Sequence, residues 1–185
     1  MQALKEWAVV CRALEQGRQT VLLRKGGILE FKEGFEVKHE RFVLFPTYEH
    51  QSKENLQPDY ADKLDAVLKE QPTAGSANVL TSYAEAKLVW EISDLAALKK
   101  LEKYHVWNES YVNARMAYNP KKPMSVILVR VHNLKMPLTV ESRPEWAGCK
   151  SWIPVGLQAD GAGSAPAVDD VTFAKISSEV MEALK

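Results

Sequence analysis

The 185-residue sequence holds only two cysteines, Cys11 and Cys149, far apart and outside any CxxC pair. A disulfide framework or zinc ribbon needs closely spaced thiols, so both are excluded. Each cysteine reads instead as a buried thiol of a reducing compartment. No apolar run approaches the ~20 residues that cross a bilayer. Lys5, Glu6 and Arg12 interrupt the N-terminal apolar pattern, which argues against a secretory signal. The chain is expected in the cytoplasm, with no membrane partner. Also missing are a GxSxG nucleophile turn, a GxxxxGK phosphate loop followed by Ser or Thr, and HxxxH or HExxH helix pairs. The Lys25-Gly26-Gly27 turn has no helix signal behind it, so it reads as a tight basic turn. The four histidines, His39, His50, His105 and His132, lack the spacing of a zinc motif, and neither metal nor cofactor is expected.

What the chain does contain is ordinary for a globular domain: 46% hydrophobic and 26% charged residues at zero formal net charge. That length supports one buried core. The charge is unevenly spread. Residues 99–150 carry ten Lys/Arg against four Asp/Glu, a net of +6. A basic block in a neutral protein points to a polyanionic partner.

Apolar spacing predicts a helix over Leu4–Glu15 ended near Gly17, a strand over Thr20–Arg24, and a strand through Val37, Phe42 and Leu44 ended by Pro46. Pro58 opens a short helix that stops before Pro72, and Val79–Ile92 reads as extended. Ser93 caps a helix carrying Leu95, Leu98 and Leu101, and a second short helix covers Ser110–Tyr118. Met124–His132 is the clearest strand, followed by a turn over Asn133–Pro137 and a further strand within Trp146–Val155. The predicted class is α+β: a single domain with a mixed β-sheet and flanking amphipathic helices. Residues 1–156 form the expected core and 157–169 a Gly/Ala/Pro-rich linker. Residues 170–185 form an amphipathic helix docked on that core.

The densest cluster of chemistry lies in Phe35–Gln51, where Thr47, Tyr48, Glu49, His50 and Gln51 follow the strand ended by Pro46. Polar groups at the end of a buried strand are held rigidly and make a natural site. An enzyme could be built here with Thr47, Glu49 and His50, Glu49 orienting His50 as general base. Metal-dependent nuclease chemistry has weaker support. Glu30–Lys32, Glu36–Lys38 and Glu85–Lys87 fit its acid-x-Lys pattern, but composition alone yields about two such tripeptides. Binding fits better. Arg115, Arg130, Arg143 and Lys150 interleave with Trp107, Trp146 and Trp152 in the basic segment. Guanidinium groups fork onto phosphates and indoles stack on bases.

Four stretches, LLRKGGI at Leu22–Ile28, FVLFPTYEHQ at Phe42–Gln51, HVW at His105–Trp107 and GCKSW at Gly148–Trp152, occur together. In combination they resemble the domain-of-unknown-function 1802 family, over roughly Leu4 to Val155. The resemblance implies a bacterial, cyanobacterial-type cytoplasmic protein of unassigned activity. By analogy with members joined to a restriction-endonuclease-like domain, it also implies an association with DNA restriction and modification, with cleavage supplied by a separate restriction-type protein.

Three readings remain. The first is a nucleic-acid-binding accessory module for DNA or RNA, with Arg24, Lys25, Arg41, Arg115, Arg130 and Lys150 on the backbone and His50 and Trp152 at a base. The second is a small hydrolase or nuclease at Thr47, Glu49 and His50. The third is a structural protein–protein interaction domain. If the separated segments serve one site, Thr47 or His50 should share a concave pocket with Lys150 or Trp152, with Arg24 or Arg41 at its rim.

Overall fold

The computed structural model describes residues 1–25, 39–73, 76–148, 150–156 and 163–185. Among these, β1 (Gln2–Trp7) runs straight into α1 (Ala8–Glu15), followed by β2 (Val21–Arg24) and β3 (Arg41–Thr47). Next come α2 (Pro58–Leu68), β4 (Asn78–Ile92), α3 (Leu95–Lys99) and α4 (Glu109–Ala117). The long β5 (Met124–Val140), the short β6 (Trp152–Pro154) and β7 (Ala165–Pro166), and α5 (Asp170–Ala183) complete the order.

The strands form one mixed sheet in the order β2-β5-β4-β3-β1-β6, with β7 added on β5. This is the α+β architecture expected. Among the described residues only β1 and β3 are parallel, aligned from Ala3 opposite Val43 to Trp7 opposite Thr47. The sheet is rolled: Arg24, on β2 at one edge, reaches Glu6 in β1 and Ser151 beside β6 at the other. One core, with Leu4, Leu22, Phe42, Leu44 and Leu128, is covered by α1, α2, α4 and α5. A smaller one, with Ala3, Val43, Phe45, Tyr83, Trp146 and Ile153, fills the opposite face.

Several sequence expectations change. The N-terminal helix is shorter by about one turn, starting at Ala8, because Gln2–Trp7 is a strand held between β3 and β6. Its end is as expected: Gly17 has φ +67°, and a Cβ there would meet the Ala167 carbonyl oxygen at 2.7 Å. Pro46 does not end β3. It lies opposite Glu6 where β3 has lost its β4 neighbour, so its missing N–H breaks no ladder bond on that side. Asn133–Pro137 is not a turn but part of β5, which bulges there: its register with β4 shifts between Asn133 opposite Ser82 and Leu138 opposite Leu80. Asp94, not Ser93, caps α3 by accepting from the Ala96 amide. Of the expected linker, residues 157–162 lie outside the described residues, while Ala165 and Pro166 pair with β5. The α5 helix packs through Phe173 and Val180, and no helix among the described residues is long and apolar enough to cross a membrane.

His105 is 3% exposed, and among the described residues neither ring nitrogen has a hydrogen-bond partner. It sits beside a cavity of about 60 Å³ that Glu102, Asn108 and Glu109 also line. Burial pushes its pKa down to about 4. The unfolded chain therefore binds an extra proton at this site below the ordinary value near 6.5, and the fold loses stability as pH falls from there toward 4. The total loss is about 3 kcal/mol. A pH series of urea midpoints should show it, and His105→Asn should remove that component.

Candidate functional site

A cleft of about 540 Å³ opens where the parallel pair β1 and β3 ends. Carboxyl ends of neighbouring parallel strands leave such crevices because each chain must turn away from the sheet. From β1 come Lys5, Glu6 and Trp7; from β3 and its following turn, Thr47, Glu49 and His50. Arg24 enters from β2, Tyr111 and Arg115 from α4, Tyr118 from just beyond it, and Gly148, Lys150 and Ser151 from the approach to β6.

The floor is an ion pair. Arg24 Nη1 donates to Glu6 Oε2 at 2.9 Å, and Arg24 Nη2 donates to Ser151 Oγ at 2.6 Å. Glu6 Oε1 also accepts from the Trp7 amide at 3.0 Å. The two side chains are only 17% and 6% exposed, so solvent screens the attraction weakly. Thr47 Oγ1 donates to the Glu6 carbonyl oxygen at 3.0 Å, which ties the two strand ends together.

One wall is aromatic. Trp7 meets buried Trp107 edge-on, with ring centroids 5.0 Å apart, and Trp107 stacks on Tyr111 at 4.1 Å. Burial pushes the Tyr111 phenol up, keeping it neutral at physiological pH. Tyr118 is 44% exposed beside Arg115, whose guanidinium lies 5.7 Å from its ring centre. Cations line the cleft as well. Lys5 Nζ donates to the carbonyls of Trp146 and Gly148, at 2.8 and 2.9 Å, and Lys150 Nζ to that of Glu145 at 2.8 Å. Carbonyl oxygens orient an ammonium group without cancelling its charge.

The rim is a strained turn. His50 has φ +60°, a left-handed conformation uncommon outside glycine. Gln51 holds the turn: its Nε2 donates to the Thr47 carbonyl, and its Oε1 accepts from the Val9 amide in the first turn of α1. The general-base pairing of Glu49 with His50 is not formed; among the described residues the two share no hydrogen bond.

The expected site residues divide. Arg24, Thr47, Glu49, His50, Arg115 and Lys150 line this one cleft although their segments are far apart in sequence. Lys25 does not; it is buried with Nζ on the Met116 carbonyl at 2.6 Å, and burial, together with nearby Arg115, pushes its pKa down. Arg41 lies over the Tyr83 ring at 4.0 Å, beside Glu85. Arg130 pairs with Asp170 and covers the Phe173 ring. Trp152 packs against Phe42 and His39, away from the cleft.

The basic segment disperses in the same way: Lys99 pairs with Glu109 and Lys103 with Glu179. Sequence reasoning missed Lys5, Glu6, Trp7, Tyr111, Tyr118 and Ser151. Only the pairing of β1 brings the first three to a strand end. Cys149 lies outside the described residues, and Cys11 is a buried thiol whose pKa burial raises.

The sequence matches the family model described as "Domain of unknown function (DUF1802)" over residues 3–179. No curated protein matches it. Two crystal structures of mutant ZmASCH protein from Zymomonas mobilis, a serine-to-alanine and a tyrosine-to-phenylalanine form, are similar in backbone. Their TM-scores are 0.45 and 0.41 at 10% identity, covering 76% of this chain and 72% and 74% of theirs. None of these matches supports a restriction-type partner.

Replacing Arg24 by Met should leave the Glu6 carboxylate buried without its cation and cost about 2–3 kcal/mol; Glu6→Gln should cost a similar amount. Denaturant unfolding of the double variant should show a loss smaller than the sum, because the two residues share one interaction. At the rim, His50→Gly should keep full stability, whereas a β-branched His50→Val should lose about 1 kcal/mol or more.

Proposed function

The chain belongs to the DUF1802 family, a domain of unknown function, and from the cleft itself we propose that it binds nucleic acid. The observation that carries this reading is the gathering of cations and aromatic rings in one crevice. Lys5, Arg115 and Lys150 line it together with Trp7, Tyr111 and Tyr118. Ammonium and guanidinium groups attract phosphate, and exposed aromatic faces stack on bases. The broad basic surface suggested by the sequence is not the basis, because Arg41, Lys99, Lys103 and Arg130 are occupied by carboxylates outside the cleft.

With few cations in the cleft, few phosphates are neutralised. The logarithm of affinity should fall with the logarithm of salt concentration with a slope no steeper than about −3, the limit for three cations. Lys150 is exposed and can be replaced without disturbing the core. Lys150→Ala should weaken binding and flatten the slope by about 0.7–0.9, one phosphate contact. Fluorescence anisotropy with labelled DNA and RNA over a salt series reads both quantities. Absence of binding at low salt removes the proposal.

A further inference from the structure

Resting on the nucleic-acid reading, we infer that the cleft admits a single unpaired nucleotide, its base against Tyr118 and Tyr111 and its phosphate toward Lys150 and Lys5, and rejects base-paired duplex. Three observations converge. The first is size. About 540 Å³ falls within the range that encloses one small-molecule-sized group, whereas a duplex could only lie across the mouth.

The second is charge. The Glu6–Arg24 pair cancels internally. Among the described residues lining the cleft that leaves Lys5, Arg115 and Lys150 against Glu49, three positive charges minus one negative, a formal net of +2. A net of +2 balances one phosphate and its neighbour; duplex binders of ordinary affinity neutralise about 6–10.

The third is the aromatic wall. Stacking requires an open base face, which pairing hides within the helix and an unpaired base presents. Tyr118 is the most exposed of the three rings, and it follows directly on the end of α4, one residue before Asn119 at φ +67°. The ring lies beside Arg115 and lines the cleft. Glu49 also fits. It is an exposed carboxylate that can only accept, placed among cations that draw in phosphate. Such a group suits a donor on the nucleotide, a ribose hydroxyl or an exocyclic amine.

The experiment compares mixed-sequence single strands, DNA and RNA, with the same strands annealed to their complements, at one low salt concentration. Single strands should bind at least about tenfold more tightly than duplex. Tyr118→Ala should lose about fivefold to a hundredfold on single strands, while Tyr118→Phe, which keeps the ring, should bind like the parent. Circular dichroism should show all three proteins equally folded, since Tyr118 is exposed. Equal or tighter duplex binding, or a Tyr118→Ala protein that binds like the parent, overturns the inference and leaves nucleic-acid binding standing. Failure to bind either form overturns both.

Discussion

The structure depends most on the contact between Arg24 and Glu6. A sheet that rolls far enough to bring its two edges together needs something at the seam, and among the described residues no continuous ladder of backbone hydrogen bonds closes it. Arg24 closes it with a side chain, holding Glu6 in β1 and Ser151 beside β6 at once. A guanidinium suits this task because its fork of donors can serve two acceptors in fixed geometry. A buried ion pair of this kind adds little net stability over a well-packed apolar pair, but it tolerates only one arrangement of its partners. The closure and the cleft floor are therefore the same object.

The sequence made the strands around β5 legible because burial on both faces leaves a nearly continuous apolar run. Its α5 helix was readable from Phe173, Ile176 and Val180 at helical spacing. β1 was not, for a definite reason. Gln2, Ala3, Leu4, Lys5 and Glu6 all favour helix, and pairing to β3 on one side and β6 on the other overrides that preference. Lys5, Glu6 and Trp7 of the cleft ride on that strand, so the site was only partly visible. The strand-end cluster at Thr47–His50 was readable because a run of polar residues after an apolar strand needs no tertiary information.

Charge was the most misleading signal. A +6 segment in the sequence became a set of local ion pairs, because Lys99, Lys103 and Arg130 find carboxylates on α4 and α5. Linear charge counts cannot see partners supplied by other segments, and Glu179 and Asp170 lie well beyond the basic block. Arg115 and Lys150 are what the block contributes to the cleft, and they act there beside Lys5 from the opposite end of the chain.

The direct passage from β1 to α1 leaves the site without slack. Trp7 is both the last residue of the strand and the residue that precedes the first helical turn. A helix turns by about 100° per residue. Inserting or deleting a single residue at this junction would either rotate the apolar face of α1 off the sheet or swing Trp7 away from Tyr111. Sequence length here is constrained as tightly as sequence identity, whereas the long spacers elsewhere in the chain carry no such requirement.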